Sequence, residues 1–228
     1  MPDLTTRTFA AVLFDNDGTL TDSRGAVGRS WLGWAVDHGV DPAVLVAYHG
    51  VPTSSIVRAV APHLDVAAAT ADIDARELRD VDGVTALPGA AAALAAVGER
   101  AALVTSASRE LALLRLRAAG LTPPAVLVAA DDISQGKPDP EPYLVAAHRL
   151  GVEPSRCLVV EDAPAGLESA RDAGAATLAV TTTSRREQLA PLADLVVDDL
   201  STVELVTAAS GVRVRLTRRA TRQGFGRD

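Results

Sequence analysis

This sequence of 228 residues has no excess of positive charge, very little aromatic content (3%) and a single cysteine. One cysteine cannot build a disulfide framework within the chain. No apolar stretch approaches the ~20 residues that a membrane-spanning helix needs. The N-terminus also lacks the basic and then hydrophobic pattern of a signal peptide. We therefore expect a cytoplasmic protein that has no membrane partner.

Positive charge is scarce and unevenly placed. The formal net charge is −7, which argues against a nucleic-acid-binding surface, so we expect no nucleic-acid partner. Lys137 is the only lysine among 22 basic residues. Four arginines fall in residues 217–228, where few apolar groups could offset the entropy cost of ordering. This composition predicts a disordered basic tail over 217–228.

Short apolar runs alternate with Ala-rich segments of helical periodicity, and 48% of the residues are hydrophobic. The predicted strands are Phe9–Phe14, Ala101–Val104, Ala125–Ala129, Cys157–Val160, Thr177–Val180 and Leu195–Val197. The predicted helices are Gly89–Val97, Glu110–Ala119, Pro142–Leu150, Ala165–Ala173 and Arg186–Leu192. Strands that alternate with single helices form a parallel sheet with right-handed crossovers. The pattern predicts an α/β fold with a Rossmann-like parallel sheet and helices on both faces.

One long segment interrupts this alternation between the first two predicted strands. It shows no strand pattern and is too long for a single crossover. Its helical patterns are centred on Gly25–His38, Pro42–His49, Ser54–His63 and Ala67–Asp80. We predict an inserted helical cap domain over 21–85 and a core domain made of 1–20 and 86–228. Near the C-terminus, Gly211–Leu216 alternates apolar and charged residues, which predicts a short, half-exposed edge strand.

Clusters of polar residues follow four of the predicted strands. The first cluster, Asp15-Asn16-Asp17-Gly18-Thr19, places two carboxylates one residue apart where the chain leaves the sheet. An open α/β sheet binds ligands at the carboxyl ends of its strands. Asp, Asn and Gly are also ordinary loop formers. This cluster alone therefore leaves a functional and a structural interpretation open.

The other three clusters favour the functional interpretation. Thr105-Ser106-Ala107 offers hydroxyls and backbone N–H groups that suit a phosphate, although a serine near a helix start is also a common N-cap. Lys137 lies in a rigid, proline-flanked loop, where a compact ammonium fits between a carboxylate and a phosphate oxygen. Glu161 and Asp162 end a buried strand and need a cationic partner, such as a hard divalent ion. Together the clusters predict one crevice at the strand ends.

These four clusters resemble the signature motifs of the haloacid dehalogenase superfamily of phosphatases, in the branch with a helical cap after the first strand. Finer features at Asp82–Gly89, Gly136–Tyr143 and Glu161–Gly166 are similar to the sugar-phosphatase group. The resemblance implies that Asp15 is the nucleophile and that Asp17 is the general acid and base. Such a protein would cleave a phosphate ester through a phospho-aspartate intermediate.

The resemblance also implies the remaining ligand contacts. Mg²⁺ would be held by the side chains of Asp15 and Asp162 and by the backbone carbonyl of Asp17, while Glu161 would order a metal-bound water. Ser106 and Lys137 would complete the catalytic set by stabilising the phosphate oxygens. The residues expected to contact substrate are Thr19, Thr105, Ser106, Ala107 and Lys137 in the core and His49, Gly50, Thr53 and Ser54 in the cap.

The resulting expectation is a Mg²⁺-dependent phosphatase for small sugar or polyol phosphates, active as a monomer or a weak homodimer. Two alternatives stay open. The first is a phosphosugar mutase on the same scaffold, although Val27 occupies the place where mutase relatives carry a histidine. The second is a non-catalytic phosphosugar-binding regulator, which the complete motif set disfavours.

Overall fold

Ten strands and eight α-helices make up this computed structural model, which describes residues 3–48 and 53–217. The strands are β1 (Ala11–Phe14), β2 (Thr21–Asp22), β3 (Thr85–Ala86), β4 (Ala101–Val104), β5 (Val126–Val128), β6 (Cys157–Glu161), β7 (Ala176–Val180), β8 (Leu195–Val197), β9 (Val203–Ala208) and β10 (Gly211–Leu216). The helices are α1 (Arg24–Asp37), α2 (Thr53–Val60), α3 (Val66–Arg79), α4 (Ala90–Val97), α5 (Arg109–Ala118), α6 (Glu141–Arg149), α7 (Pro164–Asp172) and α8 (Arg186–Leu189). Within these described ranges, no helix combines the length and the apolarity needed to cross a bilayer.

Six of the strands form a parallel sheet in the order β5-β4-β1-β6-β7-β8. Strand β1 lies at its centre, with Val12 paired to Ala101 on one side and to Leu158 on the other. All six strands coincide with predicted apolar runs, and the largest difference is that β1 begins at Ala11 rather than at Phe9. Because β1 is flanked by β4 and β6, the segments that follow these three strands meet at one edge of the sheet.

Helices cover both faces of the sheet, so the predicted Rossmann-like α/β fold is confirmed. Successive side chains of a strand point to opposite faces. Val12 accordingly packs in one core cluster with residues of α4 and α5, and Leu13 packs in another with residues of α6 and α7. The second cluster includes the buried Cys157. These two apolar layers fix the strand ends from both sides.

Helices α1, α2 and α3 all belong to residues 21–85, which we call the helical insertion. They surround a separate apolar cluster built around Trp34, Val57 and Ile73. The indole N–H of Trp34 donates to the carbonyl of Ala69 at 3.0 Å. The expectation of no strand in this part of the chain was wrong only at its edges, where β2 pairs antiparallel with β3. Two-residue strands are too short to leave a periodic pattern in the sequence.

A C-terminal hairpin forms the last part of the described chain. The predicted half-exposed strand Gly211–Leu216 is present as β10, which pairs antiparallel with β9 in a separate two-stranded sheet. Phe9, which was expected to start β1, instead forms a bridge to Val212 of this hairpin. Residues 218–228 of the predicted basic tail lie outside the described residues.

Candidate active site

Asp15 directly follows β1, in the middle of the sheet. Its backbone N–H donates to the carbonyl of Val160 at 3.0 Å, so the pairing of β1 with β6 fixes the position of the Asp15 backbone. The residue is buried, with 7% of its surface exposed. Three residues later the chain turns at Gly18, where a Cβ atom would lie 2.2 Å from Oδ2 of Asp162. Gly18 also has a φ of 92°, so only glycine lets the loop pass this close to Asp162 without strain.

Lys137 is buried beside Asp15, and its ammonium makes three hydrogen bonds. Nζ donates to Oδ1 of Asp15 at 2.7 Å, to Oε1 of Glu161 at 2.6 Å and to the carbonyl of Val104 at 3.1 Å. Burial disfavours the ammonium, but attraction to Asp15 and Glu161 raises the pKa of Lys137 well above its usual range. The only lysine of the chain is therefore a fixed positive charge that joins the ends of three strands.

Both carboxylate oxygens of Glu161 accept hydrogen bonds. Oε1 accepts hydrogen bonds from Lys137 and from the hydroxyl of Tyr143 at 3.0 Å. Oε2 accepts from the backbone N–H groups of Asp162 and Ala163 at 3.0 and 3.1 Å. Helix α7 packs directly on this carboxylate, since a Cβ atom on Gly166 would lie 1.8 Å from Oε1. Glu161 is therefore a rigid anchor for Lys137.

Asp162 is held by two threonine hydroxyls. Thr19 donates to Oδ1 at 3.1 Å, and Thr183, which follows β7, donates to Oδ2. Thr19 is 1% exposed and is not among the residues that line the adjacent cavity. The structure therefore places Thr19 behind Asp162, where its hydroxyl orients the carboxylate.

Three buried carboxylates, those of Asp15, Glu161 and Asp162, lie around a single buried ammonium, that of Lys137. Oxygen atoms of Asp15, Glu161 and Asp162 all lie within 4.8 Å of one another. Burial raises the pKa of Asp15 well above its usual range, against the opposing charge of Lys137. Burial and the charge of Glu161 raise the pKa of Asp162 to about 7. A divalent cation with oxygen ligands would supply the missing charge, so this donor set fits Mg²⁺.

The loop after β4 forms a third wall of the site. Its start is fixed by the N–H of Thr105, which donates to the carbonyl of Val128 at 2.9 Å. The hydroxyl of Thr105 accepts from the N–H of Ala107 at 3.1 Å. Ser108 then caps α5 by accepting from the N–H of Leu111 at 3.3 Å. The alternative role of an N-cap thus belongs to Ser108, while Ser106 lines the cavity.

A cavity of about 530 Å³ extends from these strand ends to the helical insertion. The core residues that line it include Asp15, Asp17, Thr105, Ser106, Ala107 and Lys137. The helical insertion contributes mainly apolar side chains, including Val27, Trp31, Leu32, Leu45 and Ile56. Thr53 also lines the cavity, whereas Ser54 is not among the lining residues. His49 and Gly50 lie outside the described residues.

The family of the chain follows from a direct match. Residues 9–174 match the sequence model of the haloacid dehalogenase-like hydrolase family. The chain belongs to this family. It is 39% identical over 206 residues to hexitol phosphatase A of Escherichia coli (strain K12), covering 87% of this chain and 95% of that protein. It is 32% identical over 222 residues to 2-deoxyglucose-6-phosphate phosphatase 1 of Saccharomyces cerevisiae (strain ATCC 204508 / S288c), covering 85% and 89% of the two chains.

A solved structure extends the comparison to the fold. The crystal structure of CbbY from Rhodobacter sphaeroides in complex with phosphate matches this hydrolase with a TM-score of 0.72 at 25% identity. The match covers 85% of this chain and 95% of that chain. The resemblance to haloacid dehalogenase phosphatases that the sequence motifs indicated is therefore confirmed at the level of family and fold.

The sequence patterns did not predict individual roles for four residues of this hydrolase's site. They are Glu77, Arg115, Tyr143 and Thr183. Arg115 has a signal, because it lies four residues after Leu111 on the buried face of α5. Thr183 has another, because it follows the carboxyl end of a sheet strand. Nothing in the sequence pattern marks Glu77 or the hydroxyl contact of Tyr143, since both depend on tertiary packing.

Proposed function

We propose that this hydrolase is a Mg²⁺-dependent phosphatase that cleaves small sugar or polyol phosphates. The observation that carries the proposal is the buried ammonium of Lys137, which bridges Asp15 and Glu161 at the floor of a large cavity. A buried acidic cluster with one lysine suits a ligand that brings a phosphate and a divalent cation together. The similarity to hexitol and 2-deoxyglucose-6-phosphate phosphatases supports the same substrate class.

In this proposal Asp15 attacks phosphorus and forms a phospho-aspartate, which divides one displacement into two steps. The hydrogen bond from Lys137 fixes one carboxylate oxygen of Asp15 and leaves the other for attack. The hydroxyl of Ser106 and the loop Thr105–Ala107 face the incoming phosphate, and the positive charge of the same ammonium, which also lines the cavity, stabilises its oxygens. Arginine would not replace Lys137, since its wider guanidinium does not fit among three close acceptors.

Asp17 supplies the proton transfers. It lines the same cavity as Asp15, and Arg115 joins its carboxylate to Glu77 of the helical insertion. It protonates the departing sugar oxygen and then removes a proton from the water that hydrolyses the phospho-aspartate. A polyol alkoxide is a poor leaving group, so this proton is needed before the bond to phosphorus can break.

The side chains of Asp15 and Asp162 and the backbone carbonyl of Asp17 would hold Mg²⁺ in this proposal. When bound, the ion would offset the repulsion between the carboxylate of Asp15 and the phosphate. Glu161 is not in this set, because each of its oxygens already accepts two hydrogen bonds, from Lys137 and Tyr143 or from two backbone N–H groups. Among the residues that the structure describes, each oxygen of Asp162 accepts only one, from a threonine hydroxyl. In place of ordering a metal-bound water, the role that the resemblance implies, Glu161 in this proposal keeps Lys137 and the start of the Asp162 loop in position.

The helical insertion acts as a cap in this proposal, with the cap domain over 21–85 and the core domain over 1–20 and 86–228. The paired strands β2 and β3 are its two connections to the core. The cap residues His49, Gly50, Thr53 and Ser54 select the sugar, while core residues, Thr19 among them through Asp162, position the phosphate. A cytoplasmic location and a monomeric or weakly dimeric state stay predictions.

A phosphate-release assay tests the proposal. The panel contains hexitol, hexose, pentose and glycerol phosphates, each with Mg²⁺ or with EDTA. We expect release from at least one member, loss of release in EDTA and loss of release in Asp15→Asn. Undiminished turnover in EDTA would contradict the mechanism. Conversion of a sugar phosphate into its isomer without release of phosphate would show a mutase instead, a result that the apolar Val27 in the cavity does not favour.

A further inference from the structure

Arg115 is a buried arginine beside the proposed general acid. Its side chain is 6% exposed, and Nη1 lies 3.0 Å from Oδ2 of Asp17. The other contacts of the Asp17 carboxylate are weaker, namely the amide of Asn16 at 3.2 Å and the hydroxyl of Thr21 at 3.5 Å. Among the described residues, Arg115 is the cation within ion-pair distance of Asp17. It is therefore the group that chiefly sets the direction of this carboxylate.

The same guanidinium reaches the helical insertion. Nη2 of Arg115 lies 3.3 Å from Oε2 of Glu77, a residue of α3 whose side chain is 10% exposed. Arg115 and Glu77 both line the cavity that contains Asp15 and Asp17. One cation thus joins a carboxylate of the core to a carboxylate of the helical insertion.

Arg115 comes from a rigid part of the core. Its neighbours on α5, Ala112 and Leu116, are fully buried in the cluster that packs on the sheet. The Nε atom of Arg115 is buried and has no hydrogen-bond partner among the described residues. A buried guanidinium that leaves one donor unsatisfied is costly. Its place is therefore not explained by stability alone.

We propose that Arg115 is a positioning residue for Asp17 and that its second ion pair, with Glu77, makes this positioning depend on the helical insertion. The inference rests on the proposed phosphatase activity, since it assigns a role to a contact of the proposed general acid. With Glu77 in place, the guanidinium is shared between two carboxylates. When the helical insertion moves away, Glu77 leaves and the direction of Asp17 changes with it. Proton delivery to the leaving group is then efficient only while the insertion covers the substrate.

The test compares kcat/KM for a polyol phosphate and for 4-nitrophenyl phosphate. A polyol oxygen needs a proton to depart, whereas 4-nitrophenolate leaves without one. In a two-step mechanism kcat/KM reports the steps up to phosphorylation of Asp15, so the common hydrolysis step does not enter. We expect Arg115→Gln to lower kcat/KM for the polyol phosphate by ~10²-fold, the scale of losing a well-placed general acid. The loss for 4-nitrophenyl phosphate should be at least ~10-fold smaller.

Matched variants separate this role from a structural one. Arg117→Gln changes an exposed arginine on the same helix and should leave the ratio of the two kcat/KM values unchanged. Glu77→Gln should lower the ratio of kcat/KM for the polyol phosphate to kcat/KM for 4-nitrophenyl phosphate, as Arg115→Gln does, but by a smaller factor. The double variant should match Arg115→Gln alone, because Glu77 acts through Arg115. Equal losses on both substrates in Arg115→Gln, or additive losses in the double variant, would overturn the proposal.

Arg115→Lys is the second variant in case Arg115→Gln does not fold, since it keeps a buried positive charge. An ammonium cannot make both guanidinium contacts, so the ratio should fall between that of the wild type and that of Arg115→Gln. An unchanged ratio in Arg115→Lys would also overturn the proposal. A wild-type protein that releases no phosphate from any sugar or polyol phosphate would instead refute the proposed function. Release by the wild type with an unchanged ratio in the arginine variants refutes this inference alone.

Discussion

Mg²⁺ and protons should compete for the buried acidic cluster, and the competition should be visible in protein stability. Burial and Glu161 raise the pKa of Asp162 from 3.8 to about 7 in the metal-free protein. The folded protein then binds this proton more tightly than the unfolded chain does. The free energy of unfolding of the metal-free protein should therefore fall as pH rises from about 4 to about 7 and level off above that range. Asp15, whose pKa is raised in the same direction, adds to the effect.

The shift of Asp162 sets the size of the effect. A rise of about three pKa units corresponds to ~4 kcal/mol at 1.36 kcal/mol for each unit. This is a large share of the 5–15 kcal/mol that stabilises a typical protein. Lys137 does not change the stability in this pH range, because the stabilisation that comes with its raised pKa is lost only at higher pH. Mg²⁺ needs the deprotonated carboxylates, so it should stabilise the protein more at about pH 8 than at about pH 5.

Urea unfolding in EDTA and in Mg²⁺ at these two pH values measures the effect, with Asp162→Asn as the matched variant. In EDTA we expect the free energy of unfolding of Asp162→Asn to exceed that of the wild type by ~2 kcal/mol at about pH 5 and by ~4 kcal/mol at about pH 8. Mg²⁺ should close this gap by stabilising the wild type. Parallel pH curves for the two proteins, or an equal Mg²⁺ effect at both pH values, would show that the pKa of Asp162 is not raised in the folded protein.

Three further changes test other parts of the site. Lys137→Arg should lower kcat by at least ~10²-fold, nearly as much as Lys137→Ala, because three acceptors enclose Nζ. A near-normal rate in Lys137→Arg would show that a positive charge alone suffices. Gly166→Ala should displace Glu161 and lower kcat by at least ~10-fold and stability by ~1–3 kcal/mol. The control Gly25→Ala, whose Cβ would make only an ordinary 3.5 Å contact with the side chain of Arg29, should lower neither. Normal activity of Gly166→Ala would contradict the packing argument. Substitutions in 49–54 should change the preference among sugar phosphates more than the hydrolysis of 4-nitrophenyl phosphate, and equal losses on both would place the selectivity in the core.

The sheet and the site floor could be predicted from sequence because local patterns encode them. Each strand of the large sheet is a buried apolar run, and polar residues follow where the run ends, as Asp15 follows Phe14. Parallel topology then places Asp15, Lys137 and Asp162 at one edge of the sheet. Strand β9 has an alternating burial pattern over Val203–Leu205, but the pattern is too short to distinguish it from a loop.

The contacts across the cavity could not be predicted, because they depend on how separate elements pack. Nothing local to Glu77 shows that α3 brings it to Arg115 of α5. Thr19 illustrates the same limit inside a recognised motif. Its position in the motif suggested a substrate contact, but its hydroxyl is directed to Asp162 across the loop. Sequence patterns identify which residues carry chemistry, and tertiary packing decides which of them face the ligand.

Mass spectrometry of the protein quenched during turnover of a sugar or polyol phosphate detects the proposed phospho-aspartate itself. We expect one added phosphoryl group on the peptide that contains Asp15, formed only with Mg²⁺ and absent in Asp15→Asn. Phosphate release by Asp15→Asn, or release by the wild type with no covalent phosphoryl group at any time during turnover, would contradict the phospho-aspartate mechanism.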